Sequence, residues 1–132
     1  MIPPASAASA TREGEVDLLV IGPHPDDVEL SSAGLLLVSK QRGYRTGAIE
    51  LTYGEMGTRG TVEKRQAELD AATAILKLDV RETLGLPDGG VRSTPETIAL
   101  MVERIRRLNP RIVVMPPKFD DDHPDHWHAA RL

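Results

Sequence analysis

Cysteine is absent from the 132-residue chain. That excludes disulfides and thiolate ligands, so any bound metal must be held by His, Asp or Glu. Aromatic residues are scarce, at 3%, and the core must therefore be aliphatic. No apolar run approaches the roughly 18 residues of a membrane span. Met1 to Gly14 lacks the apolar stretch of a signal peptide and reads as a flexible leader. A large excess of one charge is also missing. The formal net charge of −4 gives neither nucleic acid nor an anionic membrane an electrostatic reason to bind. These absences are compatible with a cytoplasmic protein. They leave the oligomeric state open, a homo-oligomer included.

Hydrophobic residues make up 40% of the chain, enough for a globular domain over residues 15–132. Val16 to Ile21 is nearly continuous apolar sequence, the pattern of a strand buried on both faces. Val28 to Arg42 reads as a helix with Leu35, Leu36, Leu37 and Val38 as its apolar face and Gly43 as its stop. Arg45 to Thr52 reads as a second strand and Tyr53 to Gly60 as a glycine-rich loop. Thr61 can cap a helix in which Ala67, Ala71, Ile75 and Leu78 recur at helical spacing. Val80 to Leu86 is a third strand, closed by the turn Pro87-Asp88-Gly89-Gly90. Thr94-Pro95-Glu96 starts a helix bearing Ile98, Met101, Val102, Ile105 and Leu108. Asn109-Pro110 ends it, and Arg111 to Met115 is the fourth strand.

This β-α-β-α-β-α-β alternation argues for an α/β three-layer domain, a mostly parallel sheet with helices on both faces, taken here in the doubly wound order 3-2-1-4. The chain stops at Leu132, just as a helix is due to begin at His128. The domain is therefore expected to be the N-terminal part of a longer one.

Two polar clusters follow two of the strands. His24-Pro25-Asp26-Asp27 comes after the first, and Asp120-Asp121-Asp122-His123-Pro124-Asp125-His126 comes after the fourth. In the 3-2-1-4 order these strands are neighbours, and ligands bind where the winding reverses between them. All four histidines of the chain lie in or just after the two clusters. A hydrolytic metal site needs about three protein ligands and an open position. His24, Asp27 and His126 can supply the ligands. Asp26 is then a candidate general base, His123 a candidate oxyanion stabiliser or acid, and Asp125 a group that orients a histidine ring.

Plainer readings stand beside these. Asp26 and Asp27 also fit helix-capping and dipole chemistry. Asp120 to Asp122 fits a solvated acidic run, and His128 a helix residue near the site. Gly54-Glu55-Met56-Gly57-Thr58-Arg59-Gly60-Thr61 can cradle an anion or be purely structural; it lacks the Lys-Ser/Thr ending of a P-loop. Arg65 can reach a substrate or be solvated.

His24-Pro25-Asp26-Asp27-Val28-Glu29 together with His123-Pro124-Asp125-His126 resembles the LmbE/PIG-L family of zinc-dependent de-N-acetylases. The Gly54 to Thr61 segment and Leu84-Gly85-Leu86-Pro87-Asp88-Gly89 are similar to its bacillithiol-pathway branch, the N-acetylglucosaminyl-malate deacetylases. The resemblance runs from about Val16 to the end. It implies a Rossmann-like domain, Zn²⁺ as cofactor, and hydrolysis of the acetamido group of a small-molecule N-acetyl sugar conjugate. It implies metal ligation by His24, Asp27 and His126, a base at Asp26, an assisting His123 with Asp125 beside it, and sugar contact by Arg65. Family members are longer, with further strands, helices and substrate contacts.

Two His and one Asp also suit Fe²⁺. The rival readings are a metallophosphatase or phosphodiesterase, which needs a second metal about 3.5–4 Å from the first, and a non-catalytic metal- or sugar-binding fragment.

Overall fold

The structure, a computed structural model, describes residues 13–117 and 123–132. Its elements run β1 Leu18–Gly22, α1 Asp27–Gln41, β2 Thr46–Glu50, α2 Val62–Leu76, β3 Val80–Thr83, α3 Pro95–Leu108, β4 Ile112–Val114 and α4 Pro124–Ala129. The four strands form one sheet in the order β3-β2-β1-β4, and every pairing is parallel. The expected 3-2-1-4 order is therefore the observed one.

Period-two alternation along β1 divides the core. Leu19 and Ile21 face a cluster that includes Met101 and Leu108 of α3 and Ala129 of α4. Leu18 and Val20 face Val28 and Leu36 of α1 and Leu76 of α2. Every residue of β1 is buried, which explains why its sequence is uniformly apolar. The edge strand β4 is different: Ile112 is 46% exposed and Val113 38%.

The helices follow their caps. Thr61 accepts a hydrogen bond from Lys64 N at 3.2 Å, and Thr94 forms a capping box with Thr97 ahead of Pro95. Their apolar faces differ from expectation. On α1, Val28, Ser32, Leu36 and Ser39 are buried, while Leu35, Leu37 and Val38 stay partly exposed. Successive helical residues are turned by about 100°, so a run of four cannot all face one sheet. On α2 the buried residues are Leu69 and Leu76, two turns apart; Leu76 joins the cluster under β1, and Ile75 is 71% exposed. Ala67 and Ala71 are exposed as well.

The ladder of β3 ends at Thr83 rather than Leu86. Leu84 N and Leu86 N still bond to Glu50 O and Leu51 O, so the chain continues beside β2 without regular pairing. The last helix begins at Pro124 and is over by Ala130, correcting the expected start at His128. The acidic run Asp120 to Asp122 and most of the expected leader lie outside the described residues. No helix among the described residues is long and apolar enough to cross a membrane.

Candidate metal centre

The carboxyl ends of β1 and β4 lie side by side, and the segments after them converge. Asp26, the residue before α1, has φ 88° and ψ −27°, a left-handed conformation rare outside glycine. Its carboxylate makes no capping hydrogen bond. The plain capping reading therefore does not hold for Asp26, whose side chain is left facing the site. Asp27 Oδ2 accepts a hydrogen bond from His24 N at 2.9 Å and lies 3.2 Å from His24 Nδ1. His126 Nε2, brought in by α4, lies 3.2 Å from the same oxygen.

His24 Nδ1 or Nε2, an Asp27 oxygen and a His126 nitrogen all fall within 4.8 Å of one another. Ligand atoms on a tetrahedral ion with bonds of 2.0–2.1 Å stand ~3.3 Å apart. The two 3.2 Å separations at Asp27 Oδ2 match that edge. The donor set thus fits Zn²⁺ or Fe²⁺.

The other face of His24 is held by carboxylates. Its Nε2 is 2.8 Å from Asp125 Oδ2 and 3.1 Å from Asp88 Oδ1. Asp125 is fully buried and also accepts from Gly89 N at 2.8 Å and Val91 N at 3.1 Å. A metal on Nδ1 would leave Nε2–H to donate to Asp125, the carboxylate support that metal-bound histidines generally have. A second donor group, His24, His123 and Asp125, also exists. Asp125 is already committed there to two backbone amides, and both groups depend on His24. They do not make two independent metal sites.

The electrostatics favour a cation. Burial alone would lower the His24 pKa. Hydrogen bonds to Asp27 and Asp125, with the charges of Asp27 and Asp88, raise it instead to about 9. Burial would raise Asp27, but the His24 hydrogen bond and the His126 charge hold it below the usual range. Asp125 is likewise lowered against its burial, by His24 and the amides of Gly89 and Val91. Asp26 moves the other way: desolvation, then the neighbouring Asp27, push its carboxyl up, with Arg65 and His24 opposing. A carboxylate with raised proton affinity suits proton transfer.

His123 caps α4 with its own ring, Nδ1 accepting from Asp125 N at 3.2 Å. In the neutral form the proton then sits on Nε2. The His24 and His123 ring centroids are 4.5 Å apart, and His126 is 5.4 Å from each. Beside these rings is a cleft of about 350 Å³, lined by His24, Asp26, His123, Arg65, Asp88 and Gly57 among others. Arg65 donates to Arg59 O at 3.2 Å within the glycine-rich loop. His128 makes an edge contact with Trp127 and takes part in neither donor group.

All seven expected site residues therefore meet at one place. Asp88 was not among them. Its turn reads as a chain reversal, yet its Oδ2 accepts from Met56 N at 2.7 Å while its N donates to Glu55 Oε1 at 2.9 Å. The available signal was positional: it is a further carboxylate in a loop after a strand, at the same carboxyl ends of the sheet as the others.

Topology and cluster together define a doubly wound α/β domain with a candidate His/Asp metal site at the winding reversal. The chain belongs to the PIG-L (GlcNAc-PI de-N-acetylase) family, whose pattern matches residues 19–132. It is 31% identical over 126 residues to a probable N-acetyl-alpha-D-glucosaminyl L-malate deacetylase 2 of Bacillus anthracis, covering 86% of this chain and 56% of that protein. A conserved protein of Thermus thermophilus, TT1542, superposes with a TM-score of 0.85 at 48% identity, covering 88% of this chain and 52% of that one. The 4-carboxy-2-hydroxymuconate hydratase of Pseudomonas putida KT2440 gives a TM-score of 0.76 at 25% identity, covering 86% and 52%. The chain spans about half the length of the curated relatives it matches.

Proposed function

We propose that this chain carries the metal centre of a hydrolase that removes the acetyl group from an N-acetylglucosamine conjugate. N-acetylglucosaminyl-malate is the best candidate substrate, given the Bacillus anthracis relative. The observation that carries the proposal is the convergence of His24, Asp27 and His126 at 3.2 Å spacings beside an uncapped Asp26. His24 Nδ1, Asp27 Oδ2 and His126 Nε2 would hold the ion, with Zn²⁺ preferred and Fe²⁺ also suited to the set. Bound there, the ion supplies Lewis acidity to the amide carbonyl and makes water a stronger acid.

The residues do the rest. Asp26 takes a proton from the attacking water as its oxygen bonds to the acetyl carbon. His123 Nε2–H donates to the carbonyl oxygen as that oxygen becomes negative. The C–N bond breaks, and Asp26 returns its proton to the departing nitrogen. Acetate and a free amine result. Asp125 holds the His24 ring in place. Arg65 and Asp88, lining the cleft with Asp26 and His123, contact the sugar.

Acetate release from N-acetylglucosaminyl-malate tests this, on the chain and on a longer form of the protein. Asp26→Asn should lower kcat by at least ~10²-fold while metal content stays at wild-type level. Metal loss in that variant would make Asp26 a ligand instead. The hydratase neighbour motivates a second reading, hydration of an unsaturated carboxylate. Loss of 4-carboxy-2-hydroxymuconate absorbance without acetate release would favour it. A phosphodiesterase reading requires a second metal, for which the described residues offer no independent donor set.

A further inference from the structure

A buried ion network lies behind the site, outside every role assigned above. Arg81 of β3 has a side chain only 7% exposed. Its Nη2 donates to Glu50 Oε1 of β2 at 2.5 Å, and its Nε donates to the same carboxylate at 3.1 and 3.3 Å. Its Nη1 donates to Glu29 Oε1 in the first turn of α1 at 2.5 Å and to Thr73 Oγ1 of α2 at 3.3 Å. One rigid guanidinium fork therefore joins four elements. Glu50 is fully buried, so the geometry of this grip is not averaged by solvent.

Glu29 is two residues from Asp27 and three from Asp26, and it lines with Asp26 a cavity of about 200 Å³ between α1 and α2. The left-handed backbone of Asp26 is costly for a non-glycine residue and persists only where its surroundings impose it. Two contacts tie the following turn to the sheet. One is apolar: Val28 packs so closely on β1 that a Cβ at Gly22 would lie 3.2 Å from Val28 Cγ2 and 3.0 Å from Asp27 Cβ. The other is directional, and it is the Glu29–Arg81 pair.

We infer that Arg81 and Glu29 are positioning residues of the metal centre, their hydrogen-bonded pair fixing the turn that presents Asp26 and Asp27. This rests on the metal-site reading above, and the test separates the two. The measurement is Co²⁺ affinity and the d–d absorption of the complex, at a temperature where circular dichroism shows each variant folded. Arg81→Ala strands the buried Glu50 carboxylate and the partly buried Glu29 and can unfold the chain, so Glu29→Ala, which leaves the Arg81–Glu50 pair intact, is the principal variant.

Glu29→Ala should weaken Co²⁺ binding by ~10-fold or more and alter the d–d bands. Glu29→Gln keeps an acceptor for Arg81 Nη1 and should restore affinity to within about threefold. Asp79→Asn is the control. It removes the charge that Lys40 meets at the opposite end of the sheet and should lose stability without a change in Co²⁺ affinity. Wild-type affinity in Glu29→Ala overturns the inference. So does an equal loss in Asp79→Asn, which would make the effect one of stability, or an equal loss in Glu29→Gln, which would make it one of charge. If the wild-type protein binds no Co²⁺, the metal-site reading itself fails and this inference falls with it.

Discussion

A Cβ at Gly57 would lie 2.0 Å from Arg65 Nη2 and 2.6 Å from its Cζ. Gly57→Ala must therefore displace the guanidinium from the cleft wall it shares with Asp26 and Asp88. With Arg65 proposed to contact the sugar, that variant should raise KM by ~10-fold and change kcat less, because remote binding rather than the reacting centre is disturbed. Steady-state kinetics on the N-acetyl conjugate checks this. A larger fall in kcat than rise in KM would move Arg65 into the chemistry. Gly57 also shows where reading residues by type reaches its limit. His24, Asp27 and His126 stand out as candidate ligands because imidazole and carboxylate are what metal sites use. Gly57 and Asp88 matter through what lies across from them in space: a guanidinium for the first, His24 Nε2 at 3.1 Å for the second. Neither relation is written in the local sequence, where one reads as loop and the other as turn.

Elements were legible where a terminus carries its own chemistry and less so along their faces. Thr94-Pro95-Glu96 spells out the start of α3, and the capping box is there. The buried stripe of α2 cannot be read the same way. Alanine and isoleucine recur at helical spacing, but Leu69 and Leu76 are the buried residues, since the partner surface and not periodicity alone selects the face. Interactions between elements are harder still to foresee. Asp79, just before β3, accepts from Lys40 Nζ of α1 at 2.5 Å and from Thr46 N of β2 at 2.8 Å, with Arg45 Nη1 at 3.6 Å. Desolvation would raise its pKa, but the Lys40 and Thr46 hydrogen bonds outweigh it and hold the carboxyl below its ordinary value. A carboxylate whose folded pKa is depressed adds stability that is fully present above its unfolded value near ~3.9 and is lost as pH falls through the folded value. Asp79→Asn should accordingly cost about 1–2 kcal/mol at pH 7, discounted for the partly exposed ion pair. The gap to wild type should close as pH drops below ~4. Urea titrations from pH 7 down through the folded value follow the gap to its acid end. A gap that persists at the acid end would show that packing, not charge, makes Asp79 stabilising.

At the scale of the whole molecule, alternation of strand and helix argues for a parallel sheet, and right-handed crossovers leave few arrangements, of which the doubly wound 3-2-1-4 order is the one observed. That order in turn made two distant polar clusters neighbours. The same arrangement couples the site to the stability of the domain. His24 follows β1, Asp27 opens α1 and His126 lies on α4, and α1 and α4 pack on opposite faces of the sheet. Unfolding separates them, so an ion held by all three binds the folded chain and barely the unfolded one. Metal present at about 100 times its dissociation constant should then add ~2.7 kcal/mol. For a domain of this size that corresponds to a rise in Tm of ~10 °C, removed by a chelator and restored by Zn²⁺. His126→Ala, lacking the ligand proposed from α4, should melt near the wild-type apo temperature and respond to Zn²⁺ far less. Thermal melts of both proteins with chelator and with Zn²⁺ decide the matter. An equal Zn²⁺ shift in wild type and His126→Ala would mean that α4 does not contribute to the site, and that the ion is bound from the β1–α1 side alone.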